Sequence, residues 1–260
     1  MPARQTTSTA DLSEPSLDAP PLLTGKEALF LDFDGTLAPF AAVPDAVIID
    51  QALPPLLRAM SDRLGGAIAI MTGRPLAQID RLLGVRLPGS GVHGLEVHMA
   101  HDGPLRFLGP DWPMQPTEAA LRRLVAADER LVLEKKPGSL ALHYRRAPER
   151  GPDLIIRLGA LVHGQADLML MRGHCVLEIK PSGFDKGRAL GMLCEVPPWK
   201  DRIPVVAGDD VTDEDAFAQA ARAHGWGIKV GNGLTKAAFR VQSIHELAVW
   251  LRTSLVSIIA

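Results

Sequence analysis

Two aspartates, Asp32 and Asp34, close a short apolar run in the string LFLDFDGTLAPF at residues 29–40. Held about 4 Å apart at an effective dielectric near 20, two like charges repel by roughly 4 kcal/mol. A fold tolerates that where a cation or a reaction needs it. Further along stand three more residue sets able to do chemistry: Thr72 in MTGR, Lys186 in FDKG, and Asp209, Asp210 and Asp213 in GDDVTDED. Carboxylates with hard oxygen donors suit Mg²⁺, which keeps several waters and takes one or two carboxylates plus substrate phosphate. The set therefore points to phosphoryl transfer. Asp32 can attack phosphorus, dividing one hard displacement into two. Asp34 can protonate the leaving oxygen and later deprotonate water. Thr72 can donate hydrogen bonds to phosphoryl oxygens from a helix start, and Lys186 supplies fixed positive charge. Asp209 is the expected metal ligand, with Asp210 and Asp213 binding the ion directly or supporting those that do.

Weaker readings stand beside these. Thr72 alone reads as a helix N-cap. Thr212 serves equally as a cap, through Thr-x-x-Asp, or in catalysis. GDDVTDED lacks the Gly and Glu spacing of an EF-hand loop, and Lys186 alone would be a surface lysine.

These residues need a scaffold that brings strand ends together. ALFLDF (28–33) and GAIAIMTGRP (66–75) read as buried strands, separated by a helical pattern at 53–64. Pro75 fits the first turn of the next helix. RIPVVAGDD (202–210) and WGIKVGNG (226–233) read as further core strands, and a last helix is expected near 243–258. This alternation predicts an α/β, doubly wound, Rossmann-like parallel-sheet core, whose ligands sit outside the carboxyl ends of the strands. The middle differs. LVLEKKPGSLALHYRR (131–146) predicts two alternating strands about a Pro-Gly turn, and ADLMLMRGHCVLEIKP (166–181) a hairpin turning at Arg172-Gly173. With helical patterns near 116–128 and 151–163, they predict an inserted α+β cap at 97–180. The core is then 25–96 and 181–260, after a disordered tail over 1–24 rich in Ser, Thr, Pro and Asp.

The motifs DFDGT (32–36), MTGR (71–74), DKG (185–187) and GDDVTDED (208–215) resemble those of the haloacid dehalogenase phosphatase superfamily, and the insertion falls where its C2-type cap lies. From about Ala28 to about Leu251 the chain resembles the trehalose-6-phosphate phosphatases, through GVHGLE (91–96), LEKKPGSLALHYR (133–145) and VLEIKPSGFDKG (176–187). That resemblance implies Asp32 as nucleophile, Asp34 as acid and base, and Mg²⁺ held by Asp32, the Asp34 carbonyl and Asp209. It implies sugar contacts from His93, Gly94, Glu96, Lys136, His143, Glu178 and Lys180, with Arg74 beside them on the substrate. Pro137 departs from the glycine expected after the cap lysine; it fixes φ and removes an amide donor beside Lys136. Independently, Glu-x-Lys at 134–136 and 178–180 sets acid and base on one face of each strand, fitting either a polyhydroxylated ligand or a solvated ion-paired face. His93 and His143, taken singly, read as structural.

A 260-residue chain with 47% hydrophobic residues can bury such a core and insert. Its net charge of -2 leaves no basic excess for nucleic acid. No apolar run reaches membrane-spanning length, no secretory signal opens the chain, and Cys175 and Cys194 form no CxxC pair. The expectation is a cytoplasmic enzyme with a small phosphosugar substrate, a monomer being compatible with everything in the sequence. Trehalose 6-phosphate leads; sucrose phosphate, mannosylphosphoglycerate, a phosphomutase reaction and a non-catalytic phosphosugar sensor are the rivals.

Overall fold

The computed structural model describes residues 18–41, 46–100 and 103–259. The chain enters the middle of an eight-stranded sheet as β1 (Glu27–Leu31) and steps outward through α1 (Leu53–Arg63), β2 (Ile68–Met71), α2 (Leu76–Leu83) and β3 (Gly89–Gly91). β4 (Glu96–His98) and β5 (Arg106–Phe107) then extend that edge antiparallel. The chain returns to the core after the cap through α5 (Lys186–Cys194) and fills the other side: β10 (Ile203–Gly208), α6 (Glu214–Arg222), β11 (Trp226–Val230), β12 (Phe239–Val241) and α7 (Ile244–Ile259). The strand order is β12-β11-β10-β1-β2-β3-β4-β5, parallel from β12 to β3. Strands buried on both faces need continuous apolar runs. Ala28, Leu29, Phe30 and Leu31 are accordingly all inaccessible, as are Val205 and Ala207 on the neighbouring strand.

The direction of winding reverses between β1 and β10. Leu31 pairs with Ala207 in their parallel register, so the residues that follow the two strands emerge side by side at the carboxyl edge. That crevice is where a doubly wound sheet binds ligands.

Between the two core segments lies a second layer. β6 (Val132–Lys136), β7 (Ser139–His143), β8 (Leu168–Gly173) and β9 (Val176–Pro181) form an antiparallel sheet in the order β6-β7-β9-β8, backed by α3 (Gln115–Ala127) and α4 (Gly151–Val162). Side chains alternate between the faces of a strand. Leu140, Leu142, Leu177 and Ile179 thus face the helices and pack with Leu121, Leu154 and Leu158, while Glu134, Lys136, Ser139, His143, Glu178 and Lys180 share the opposite face.

Several expectations shift. The cap was expected to begin at residue 97, but that position lies within β4, which with β5 hydrogen-bonds into the large sheet; short edge strands carry too little periodic signal to be read. The second cap hairpin turns at His174-Cys175, because Gly173 pairs with Val176 and Cys175 takes the left-handed conformation at φ 60°. Arg172 and Gly173 remain in β8. The first hairpin does turn at Pro137-Gly138, Gly138 having φ 74°. Of the expected tail, residues 1–17 lie outside the described residues. Residues 18–24 pack on the core: Leu23 is inaccessible, its amide donates to Ser254 Oγ, and Trp250 Nε1 donates to the Pro21 carbonyl.

Candidate active site

Asp32, directly after β1, is 5% exposed. Its Oδ1 accepts a hydrogen bond from Lys186 Nζ at 2.6 Å, and its Oδ2 accepts one from Thr36 Oγ1 at 3.4 Å. The single Thr36 hydroxyl proton is shared with Asp209 Oδ1, the nearer acceptor at 3.1 Å. Lys186, the first residue of α5, reaches past Asp32 to Asp213 Oδ1 at 2.7 Å. The other Asp213 oxygen accepts from the amides of Asp209 and Asp210 at 3.1 and 3.0 Å. Asp213 therefore holds both the lysine and the turn that carries Asp209.

Charge and burial oppose each other here. Burial and the neighbouring Asp213 carboxylate push Asp32 well above the usual carboxylate range, against the pull of Lys186. The same two causes push Asp209 up to about 6. Burial would strip the proton from Lys186, but Asp213 and Asp32 outweigh it and keep the ammonium charged. A set of carboxylates that resists ionisation is one that a cation would relieve. One oxygen from each of Asp32, Asp209 and Asp213 lies within 4.8 Å of the other two, a hard donor set that fits a divalent ion. Gly35 abuts this cluster at φ 82°, and a Cβ there would sit 2.2 Å from Asp209 Oδ2. Asp213 gives one oxygen to Lys186 and the other to two backbone amides, and so frames the cluster from within.

Asp34 lines the same cleft as Asp32. Arg74 grips it bidentately, Nε to Oδ2 at 2.6 Å and Nη2 to Oδ1 at 2.8 Å. Thr72, 1% exposed, accepts at its Oγ1 from the Arg74 amide at 3.0 Å. It thus shapes the MTGR turn and does not line the cleft, whereas Gly73 and Arg74 do.

The cap sheet roofs the cleft with its polar face. Lys136 donates to Glu178 Oε2 at 2.8 Å and to the Gly73 carbonyl of the core at 2.9 Å. Ser139 Oγ donates to Glu178 Oε1 at 2.7 Å. Burial alone would raise the Glu178 pKa, but Lys136 and His93 prevail and lower it to about 2. Pro137 leaves Lys136 in place, since the Pro-Gly turn returns the chain to Ser139 opposite it. His143 Nε2 lies 2.8 Å from Glu134 Oε2. Lys180 donates to the carbonyls of Phe184 and His93 and lines a second cavity that shares His93, Lys186 and Thr212 with the main cleft.

His93 lies beneath this roof with only the edge of its side chain exposed, 3.7 Å from Glu178 Oε2, in a left-handed conformation at φ 50°. Burial holds its imidazole well below the usual range despite Glu178, and its Nδ1 has no hydrogen-bond partner among the described residues. Three expected sugar-contact residues do not line the main cleft: Lys180, which lines the adjoining cavity, Gly94 and Glu96. Gly94, at φ 99°, lets the loop pass the Asp185 carbonyl, which a Cβ would meet at 2.8 Å. Glu96 accepts from the Leu76 amide at 2.9 Å and so caps the start of α2. Asp210 does line the cleft, and its side chain accepts from the Val211 amide. The capping box at that turn is Asp210 with Asp213; the one expected at Thr212 is not used.

Residues that the sequence did not single out also line the cleft: Phe40, Arg145 and His174. The Phe40 ring stacks on His174 at 5.7 Å, and the Arg145 guanidinium lies 5.3 Å from its centre. These contacts join the core loop after DFDGT to the cap. Only the tertiary fold reveals them, because the three residues share no motif.

An acid-lined crevice at the switch point of a doubly wound sheet, roofed by an inserted α+β cap, is a fold this chain shares with a haloacid dehalogenase-like hydrolase from B. subtilis, which superposes with a TM-score of 0.59 at 14% identity, covering 86% of this chain and 97% of that one. The family model described as trehalose-phosphatase matches residues 30–244, and the chain belongs to that family. It is 33% identical to the trehalose-6-phosphate phosphatase of Escherichia coli (strain K12) over 248 residues, covering 92% of this chain and 90% of the relative. It is 36% identical over 206 residues to a probable trehalose-phosphate phosphatase of Sinorhizobium fredii (strain NBRC 101917 / NGR234), covering 78% and 77%. Among solved structures, the C-terminal domain of trehalose-6-phosphate phosphatase from C. albicans superposes with a TM-score of 0.80 at 21% identity, covering 94% of this chain and 99% of that one. That likeness speaks for the fold.

Proposed function

We infer that this chain is a Mg²⁺-dependent phosphatase that converts trehalose 6-phosphate to trehalose and phosphate. The observation that carries this reading is the convergence of Asp32, Lys186 and Asp209 beneath a cap whose Lys136–Glu178 pair is buried and faces them. Family membership supports the substrate.

Asp32 attacks phosphorus, forming an aspartyl-phosphate as the bond to the sugar oxygen breaks. Asp34 gives that oxygen its proton. For this its bidentate link to Arg74 has to open, and the incoming phosphoryl group offers Arg74 an equivalent bidentate partner. Once the sugar has left, Asp34 takes a proton from water; the water oxygen bonds to phosphorus, the Asp32–phosphorus bond breaks, and phosphate departs. Lys186 stabilises the charge on the transferring group throughout. Asp32 and Asp209, with the Asp34 carbonyl, would hold Mg²⁺, which when bound neutralises phosphoryl charge as a Lewis acid. Glu134, Lys136 and Glu178, with the His143 imidazole, present charged and polar hydrogen-bonding groups to sugar hydroxyls in a cleft shielded from bulk water. Cap closure then lets contacts remote from phosphorus favour the reactive state. The two cysteines, both free, fit a cytoplasmic setting.

Phosphate release is measured across trehalose 6-phosphate, sucrose phosphate, mannosylphosphoglycerate and p-nitrophenyl phosphate, with and without Mg²⁺. Trehalose 6-phosphate is expected to dominate, and only with the metal. Asp32→Asn should abolish turnover with the fold intact. Phosphate release by that variant would show a different nucleophile. Glu178→Ala should harm trehalose 6-phosphate far more than the small ester, and equal losses would remove the cap's role in sugar recognition.

A further inference from the structure

Lys229 sits on β11 between Ile228 and Val230, all three buried. An apolar residue would fill this place without the cost of burying an ammonium group. The lysine does not line the cleft. In the parallel register, Lys229 lies opposite Gly208, the last residue of β10. The ladder between the two strands ends there, so the next carbonyl, that of Asp209, has no strand partner. Lys229 supplies one: its Nζ donates to the Asp209 carbonyl.

Asp209 is thereby fastened from four directions. Its amide donates to Asp213 Oδ2, its Oδ1 accepts from Thr36, and Gly35 packs against its carboxylate. Those three restraints come from segments that themselves build the phosphoryl site. The fourth comes from the adjacent strand, outside the site, and acts on the peptide that sets the direction of the Asp209 side chain.

We propose that Lys229 is a positioning residue for the metal site, fixing the peptide after β10 so that the Asp209 carboxylate meets the ion preorganised. This rests on the reading that Asp209 is a metal ligand. Partners that orient a ligand from outside the coordination sphere are worth about 10–100-fold in metal affinity. Loss of the Lys229 hydrogen bond frees the 209–210 peptide to rotate, which weakens metal binding without removing a ligand.

The test is Mg²⁺ binding to the metal-free full chain by titration calorimetry, for the parent, Lys229→Met and Asp209→Asn, with circular dichroism to check the fold. Lys229→Met is expected to raise the Mg²⁺ dissociation constant about 10-fold or more. The Mg²⁺ concentration for half-maximal phosphate release should rise in parallel, while kcat at saturating Mg²⁺ stays within a few-fold of the parent. Lys229→Gln, which is shorter, uncharged and still polar, gives the same reading if the methionine variant does not fold. Lys229→Arg, which keeps a cationic donor, should recover part of the affinity. Parental Mg²⁺ affinity in a folded Lys229→Met or Lys229→Gln protein, with only thermal stability reduced, would overturn the proposal and leave Lys229 a purely structural residue. Asp209→Asn separates the two readings: if it binds Mg²⁺ like the parent, Asp209 is not a ligand. If it loses Mg²⁺ while the Lys229 variants keep it, the metal reading stands and the positioning role falls.

Discussion

Asp213→Asn tests the polar core beneath the cleft. Asp213 is 1% exposed, and its three hydrogen bonds tie Lys186 to the turn that bears Asp209. Asparagine keeps the shape but carries one acceptor oxygen where the carboxylate has two, so its amide group must meet either the lysine or the two backbone donors. Lys186, 3% exposed, is left with Asp32 as its charged partner. Breaking a buried pair by removing one member costs about 3–5 kcal/mol, a large share of a total stability of roughly 5–15 kcal/mol. For a domain of this size each kcal/mol shifts the melting temperature by about 2–4 °C, so a drop of roughly 6–20 °C is expected. Urea and thermal unfolding at pH 7 without metal would measure it. The double variant Lys186→Met/Asp213→Leu, which replaces both charges with apolar groups, should regain much of the loss while remaining inactive. An Asp213→Asn midpoint within about 1 kcal/mol of the parent would refute the reasoning, since no buried ion pair would then depend on this carboxylate. So would a double variant less stable than the single one.

Asp209, pushed up to about 6 by burial and Asp213, binds its proton more tightly folded than unfolded. The metal-free chain should therefore lose about 3 kcal/mol of stability as pH rises from about 4 to about 6. Urea midpoints for the parent against Asp209→Asn would isolate that slope, and a rise in stability over the interval would contradict it. Glu178, lowered to about 2, contributes stability above the ordinary glutamate value that is lost as pH falls toward 2; Glu178→Gln should flatten that acid limb of the unfolding profile. Gly73→Ala places a Cβ 2.3 Å from His93 Nε2. It should displace the imidazole and raise KM for the sugar phosphate about 10-fold, an increase of roughly 1.4 kcal/mol; an unchanged KM would show that His93 can move at no cost. Phe40→Ala removes two ring contacts to the cap worth about 0.5–1 kcal/mol each. Hydrogen exchange at residues 173–176 should quicken by roughly 5-fold or more, and unchanged exchange would dissociate Phe40 from cap closure.

Elements with a strong period and clear punctuation were legible in the sequence. The apolar runs before Asp32 and Asp209 had to be buried strands, and the Pro-Gly turn at 137–138 fixed the first cap hairpin. Doubly wound topology then brings the ends of those strands together, which is why residues 177 positions apart in the chain could be placed in one crevice. Single-residue orientation was less legible. Glu96 belongs to a string that resembles a sugar-binding segment, yet its side chain satisfies the orphan amide of Leu76 at the start of α2. No local pattern distinguishes these two uses of a carboxylate. Lys229 was hidden for a related reason: within a strand it interrupts an apolar run, and its partner is a backbone carbonyl just past the end of the neighbouring strand. The second cap hairpin was misplaced by two residues because glycine is the usual turn signal, and here Cys175 takes the left-handed position while Gly173 lets β8 run close to Val176.

The side chains that would greet a sugar already satisfy one another. Lys136 is engaged by Glu178 and the Gly73 carbonyl, Ser139 by Glu178, His143 by Glu134, and Lys180 by two backbone carbonyls. A visitor therefore gains little by displacing these bonds unless its own hydroxyls replace them one for one. Molecules that carry a phosphate but too few hydroxyls would leave the latch fastened, so discrimination would be exercised at the moment of admission, before phosphorus comes within reach of Asp32.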